Sequence, residues 1–323
     1  MLDIISFGDA TVDMFLNISE ATVTCDVHKE NCQLCFSYAD KIPVDSIVRI
    51  PGAGNGSNNA VGSARLGMST GIATIIGNDG VGEQIIRAWK KEGVNTKFVV
   101  IDKKRETNYS TVLNFRGERT ILVYHEKRDY VFPTRLVPAK WIYYTSLGMG
   151  SERMHDGLIK YIKKTGAKLV FQPGTFQIKL GKEGLIPLIS IAEVLILNKE
   201  EAQRVLRNDS RDVKILLTAM HGLGARIVVI TDGPVGSYLY DGERYLFLGI
   251  FDVPVVERTG CGDAFATAFV AALHCDKSVE EAMRWGTANS ASVLGFVGPQ
   301  KGLLKHDEMM KFLKRFPEKP KKI

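Results

Sequence analysis

From residue 141 onward, short apolar runs alternate with stretches of helical period. Trp141–Tyr144, Lys168–Phe171, Val194–Leu197 and Ile227–Thr231 are too short for helices and too continuously apolar for one-sided strands. They predict strands buried on both faces. Between and beside them, residues 152–165, 181–191, 199–207 and 212–221 repeat their apolar positions every three or four residues and predict helices. Alternation of this kind predicts a parallel sheet covered on both sides. Upstream, strands are expected at residues 3–8 and 71–76, and a helix follows Gly80-Val81-Gly82 to Glu92, closed by Gly93. Ser237–Tyr240 and Arg244–Leu248, joined through Asp241-Gly242, predict a hairpin. Helices at 262–273, 279–294 and 307–316 complete the pattern.

Two regions break this period. Residues 17–50 are polar and irregular. From about residue 98 to 135 helix is absent, and the β-rich runs 98–101, 110–114 and 120–124 predict strands, the last two turning at Arg116-Gly117-Glu118. Together these regions predict a small β lid inserted in the main fold. The expected organisation is one domain over residues 1–316, with lid segments at about 12–50 and 98–130, and a basic tail at 317–323.

Composition refines this picture only at its edges. Apolar residues make up 45% and charged residues 24%, the balance of a globular chain. No apolar run reaches the ~18–20 residues that span a bilayer, so no membrane partner is expected. The first residues enter a buried strand directly, without the basic region and cleavage site of a signal peptide, which gives the expectation of a cytoplasmic protein. The formal charge is +6, yet six basic residues and one acid fall from Lys311 onward. The body is close to neutral, which argues against a nucleic-acid partner. The tail is expected to be solvated and frayed.

Candidate chemistry gathers at Thr259-Gly260-Cys261-Gly262-Asp263, which runs into an uncharged helix. The first N–H groups of a helix lack intrahelical partners and favour an anion. A carboxylate beside such a site is either a base for a hydroxyl attacking a phosphoryl group, or a partner of its own helix dipole. A second Gly-rich stretch, from Gly52 to Ala60, fits neither the dinucleotide fingerprint nor the Walker A spacing. Asp13 stands where the first strand ends, the place where open α/β sheets collect ligands. Asn108, Asn114, Arg116, Arg119 and His125 in the lid are candidates for hydroxyl or phosphate contacts, or for solvent-facing positions. Cys25, His28, Cys32 and Cys35 form C-x2-H-x3-C-x2-C, a pattern that suits a structural Zn²⁺ site of three cysteines and one histidine. A disulfide and chance clustering are the other readings.

Four stretches in this order resemble the PfkB (ribokinase-like) carbohydrate kinase family: Ala53-Gly54 with Asn58 and Ala60, then Ala64-Arg65-Leu66-Gly67; Asn198-Lys199-Glu200-Glu201; Thr231-Asp232-Gly233-Pro234-Val235-Gly236; and Thr259 to Asp263. The resemblance covers residues 1–16 and about 51–316. It implies a three-layer α/β/α sandwich with a mostly parallel central sheet and a β lid over the substrate site. It also implies transfer of a phosphoryl group from ATP to a sugar hydroxyl, with a nucleoside as the alternative substrate and an inactive ligand-binding protein as the alternative role. Position by position, Asp263 looks like the base, and the amides of Gly260, Cys261 and Gly262 like the anion hole. Asp13, Gly54 and Asn58 look like sugar contacts. Asn198 and Glu201 look like the pair that organises Mg²⁺, Thr231, Gly233 and Gly236 like nucleotide contacts, and Asn289 lies where the family meets adenine. The family's Asp-Thr-Thr reads Glu257-Arg258-Thr259 here, at a position that often helps bind a monovalent cation. Cys261 replaces the middle alanine of the motif, and Gln172 an acid. Pairing of lids between subunits is common in the family, so a homodimer through the lid is expected.

Overall fold

The computed structural model describes residues 1–26, 32–116 and 118–323. Ten strands form the central sheet. Seven are parallel, in the spatial order Asn95–Asp102, Thr70–Gly77, Leu2–Phe7, Ala139–Tyr144, Lys168–Phe171, Ala192–Asn198, Ile227–Thr231. The antiparallel strands Ser237–Tyr240, Tyr245–Leu248 and Lys321–Lys322 extend it. Alternate residues of each parallel strand feed opposite cores, as the period of two requires. Ile4, Tyr143, Val170, Ile196 and Val229 pack with Phe265, Phe269, Met283 and Trp285 of the helices Cys261–His274 and Val279–Leu294. Ile5, Tyr144, Leu169, Leu197 and Val228 pack with Leu158, Leu185, Val205 and Leu216 on the other face. The three-layer α/β/α sandwich is therefore as expected.

The chain order reverses at Leu2–Phe7, which has Thr70–Gly77 on one side and Ala139–Tyr144 on the other. Its carboxyl end is thus a topological switch point, where a crevice opens. Over it lies a four-stranded lid sheet, in the order Ser46–Ala53, Thr11–Asn17, Asn108–Phe115, Glu118–Tyr124.

Three expectations are corrected. Asn95–Asp102 belongs to the main sheet, pairing in parallel with Thr70–Gly77, so the second lid segment starts at Asn108. Its exposed Val100 and Ile101 mark an edge strand rather than a lid. The basic tail is not frayed. Lys321 and Lys322 pair with Phe247 and Leu246, because the edge strand Tyr245–Leu248 offers unpaired backbone groups, and Arg284 Nε donates to the Glu318 carbonyl at 2.8 Å.

The cysteine cluster is the third. Thr22–Cys25 and Cys32–Cys35 form a two-stranded hairpin in which Cys25 and Cys32 are joined as a disulfide. Two of the four expected zinc ligands are thereby consumed. Cys35, a free thiol, is three residues from Cys32 on one strand, so their side chains leave opposite faces. A disulfide-closed hairpin replaces the expected zinc site; His28 lies outside the described residues. Among the described residues no group of three or more His, Cys, Asp or Glu is placed to hold a metal ion, and no helix is long and apolar enough to cross a membrane.

Candidate active site

Two helix N-termini meet under the lid. Gly54 caps Asn55–Arg65 with φ +99°, and a Cβ there would lie 2.5 Å from the Asp9 carbonyl oxygen. Gly260 caps Cys261–His274 with φ +80°, and a Cβ there would run into Pro299. Both turns therefore require glycine. Gly262 differs: among the described residues only Gln172 Nε2, at 3.9 Å, comes near its Cβ position, so this side of the turn is open. Gly260 is the N-cap and Cys261 and Gly262 begin the helix, so the amides expected to make the anion hole lie at a helix N-terminus, where N–H groups lack intrahelical partners.

Asp263 is 6% exposed. Its Oδ1 accepts from Asn55 Nδ2 at 2.8 Å and its Oδ2 from Asn58 Nδ2 at 2.7 Å. Burial pushes its pKa above the ordinary carboxylate value, while the two amides pull it back. This suits a base that must hold a proton briefly. Asn58 is also fixed at its oxygen, which accepts from Gln300 Nε2 at 3.0 Å. Asn58, expected to meet a sugar, supports Asp263. Cys261 fills space: burial raises its thiol pKa to about 11, so it stays protonated near neutrality.

Asp13 sits on Thr11–Asn17, between Ile50 and Ser110 of the flanking strands, and is buried. Burial raises its pKa to about 6, and the charges of Glu257 and Asp263 act in the same direction against a hydrogen bond from Ser110. The fold thus brings a lid carboxylate within electrostatic reach of Asp263. Asn198 and Glu201 form a capping box for Lys199–Leu206: Glu201 N–H donates to Asn198 Oδ1 at 2.8 Å and Asn198 N–H to Glu201 Oε2 at 2.9 Å. Burial raises the Glu201 pKa, and Asp263 is among the charges that reinforce the rise. Thr231 lies beside Asn198 in the sheet register. Gly233, at φ +49°, has open space at its Cβ position, whereas that of Gly236 is filled by the Leu248 backbone.

Asn289 is corrected. It is fully buried, its Nδ2 donating to the Ala264 carbonyl at 2.8 Å and its Oδ1 accepting from Leu304 N–H at 2.9 Å. With both ends committed, it braces two helices and is not an adenine contact.

Asn55, Asp9, Tyr130 and Tyr143 were not singled out in the sequence, and the partners of Glu257, Arg119, His125 and Gln172 were not legible there. Asn55 lay unmarked in the Gly-rich stretch. Glu257 is buried and pairs with Arg119, whose Nη1 is 2.8 Å from Oε1. The expected place of a monovalent cation is thus met by a guanidinium of the chain itself. His125 Nε2 lies 2.7 Å from Asp9 Oδ2, and Tyr130 donates to Asp9 Oδ1 at 2.8 Å. Tyr143 donates to Gln172 Oε1 below the crevice. Of the other lid candidates, Asn108 accepts from Glu126 N–H, Asn114 donates to Asn17, and Arg116 lies over the Phe115 ring.

The family described as pfkB family carbohydrate kinases matches residues 16–306. Ribokinase of Haemophilus influenzae is 27% identical over 269 residues, which is 80% of this chain and 86% of that protein. The 5-dehydro-2-deoxygluconokinase of Geobacillus kaustophilus is 29% identical over 266 residues, 75% of this chain and 78% of that protein. Among solved structures, the Methanocaldococcus jannaschii nucleoside kinase, an archaeal member of the ribokinase family, superposes with a TM-score of 0.78 at 17% identity, covering 98% of this chain and 99% of that one. A putative ribokinase II of E. coli in complex with ATP and Mg²⁺ superposes with a TM-score of 0.80 at 16% identity, covering 98% and 100%. At these identities the structures speak for the fold.

Proposed function

Because the chain belongs to the pfkB family of carbohydrate kinases, we propose that it transfers the γ-phosphoryl group of ATP to a hydroxyl of a sugar-like substrate, with Asp263 as the base. The observation that carries this reading is the Asp263 carboxylate itself: buried, held at both oxygens by Asn55 and Asn58, and set in the first turn of the helix whose free amides would receive an anion. The substrate hydroxyl gives its proton to Asp263 as its oxygen bonds to the γ-phosphorus and the bond to the ADP oxygen breaks. The amides of the 260–262 turn take up charge on the phosphoryl oxygens. Asp13, ionised at neutral pH, holds substrate hydroxyls from the lid side.

The donor set fits Mg²⁺ carried with ATP. Glu201 keeps Oε1 outside the capping box, and a hard carboxylate oxygen acting through water suits this ion. When bound, Mg²⁺ supplies neutralisation of phosphate charge. Thr231 and the open face at Gly233 flank the same end of the sheet and would line the nucleotide.

The test is alcohol-dependent ADP release over a panel of sugars, sugar acids and nucleosides, with and without Mg²⁺. One or more substrates should give Mg²⁺-dependent turnover. A best substrate among the nucleosides would move the reading to the nucleoside alternative, and ATP consumption that no alcohol accelerates would overturn it.

A further inference from the structure

One ion pair ties the lid to the anion hole. Arg119 lies on Glu118–Tyr124, the edge strand of the lid sheet, where every residue is exposed. Its side chain nevertheless reaches Glu257 in the main domain, 138 residues away in sequence, at 2.8 Å. The Glu257 side chain is 7% exposed. The same Oε1 accepts the Thr259 N–H at 2.7 Å and the Thr259 hydroxyl, and Oε2 accepts the Gly298 N–H at 3.1 Å. Thr259 is the residue before the anion-hole turn. The Cβ position of Gly298 is filled by Ile50 of the lid, with Phe15 at 3.5 Å. Glu257 therefore gathers the lid, the anion-hole turn and the 298 loop on one carboxylate.

A buried carboxylate is costly unless its charge is met. The two N–H groups and the hydroxyl saturate Glu257 with hydrogen bonds but leave its negative charge in place. Arg119 supplies the full positive charge in this set of contacts. Without it, Glu257 would add to the field of Asp13 and Asp263 in the crevice where phosphates must enter. Arg119 also anchors the Oε1 that Thr259 bonds, so its loss would weaken the hold on Thr259.

We propose that Arg119 is a positioning residue for phosphoryl transfer: its guanidinium, delivered by the lid, holds Glu257 so that the Thr259–Gly262 turn presents its amides correctly, coupling turnover to lid contact. This rests on the kinase reading given above. In this role Arg119 acts through Glu257 and Thr259.

The experiment uses the full chain with ATP and the best alcohol from the panel. Misplacing reacting groups by ~1 Å costs on the order of 10²-fold in rate, so Arg119→Ala should lower kcat by about 10- to 100-fold. ATP affinity, measured by calorimetry without the alcohol, should change far less. Millimolar guanidinium should restore kcat saturably in Arg119→Ala and leave the wild type unmoved, a response that a merely structural defect would not give. Arg119→Gln replaces the alanine variant if that one does not fold. An unchanged kcat, or a loss that guanidinium does not repair, overturns the inference while leaving an active wild-type kinase in place. A wild type that phosphorylates no alcohol overturns the kinase reading and the inference together.

Discussion

Asn58 and Asp263, 205 residues apart in the chain, are joined by a 2.7 Å hydrogen bond from the amide to the carboxylate. With Asn55 on the other oxygen, the N-terminus of one helix holds the proposed base on the N-terminus of another. The carboxylate is fixed in orientation and kept from pairing with its own helix amides, which leaves those amides for an anion. Asp263→Asn keeps the shape but removes the proton acceptor. A positioned general base is worth ~10²–10⁴-fold, so ADP release should fall by that order while ATP binding by calorimetry persists. Turnover near the wild-type rate would remove Asp263 from the chemistry.

Asp13 should make stability depend on pH. Its pKa is raised from 3.8 to about 6, so the folded state binds this proton more tightly than the unfolded state. The contribution to stability is fully present below pH 3.8 and is lost as the pH rises through 6. A shift of about two units corresponds to ~3 kcal/mol. Asp13→Asn should therefore stabilise the protein at pH 8 by up to that amount relative to its effect at pH 4, and should weaken alcohol binding. Urea unfolding at both pH values gives the answer; equal effects at the two would contradict the burial argument.

Glu201 both caps a helix and is proposed to serve the metal, and two substitutions separate the roles. Glu201→Gln retains an acceptor for the Asn198 N–H, so it should raise the Mg²⁺ concentration for half-maximal rate with little change in melting temperature. Glu201→Ala also loses the reciprocal half of the capping box, the bond from the Asn198 N–H, at a cost of about 1 kcal/mol. If both variants keep the wild-type Mg²⁺ titration, only the cap remains.

The two glycines of the anion-hole turn should respond oppositely to alanine. Gly260→Ala meets Pro299 and a positive φ, and should destabilise the fold. Gly262→Ala meets only Gln172 at 3.9 Å, so it should fold normally and place a methyl group where the phosphoryl group must sit. A drop in kcat without a drop in melting temperature is expected for Gly262→Ala alone.

The chain has 5 cysteines, of which Cys35, Cys261 and Cys275 are free thiols. Thiol titration of the denatured, unreduced protein should therefore find three reactive groups, rising to five after reduction. Five before reduction would remove the disulfide.

Much of this architecture is written locally. The helices Val279–Leu294 and Cys261–His274, the hairpin at Asp241-Gly242 and the strands of the parallel sheet appear where periodicity and turn residues predict them. Each of these signals depends on neighbours within a few residues: a helical stripe, a continuous apolar run, a glycine that tolerates positive φ. The Gly-rich turns and Asp263 were legible for the same reason, since a helix N-terminus and its glycine are contiguous in sequence.

Partnership was not legible, because it depends on which elements pack together. Nothing around Asn289 marks it as a brace between Ala264 and Leu304, and its burial follows only from where its helix lies. The spacing of Cys25 and Cys32 permitted a shared metal; the antiparallel register of two short strands set them face to face and turned Cys35 away. Asn95–Asp102 has the composition of a lid strand and became an edge of the main sheet, since an edge strand buries only part of its apolar face. The pairing of Arg119 with Glu257 needs the lid sheet, the switch point of the central sheet and the anion-hole turn to be assembled at once. The sequence by itself determined the order of elements and marked the residues proposed for phosphoryl transfer. Only tertiary structure decided which of them meet, because a buried charge or amide takes whatever partner the packing of distant segments brings within hydrogen-bond reach.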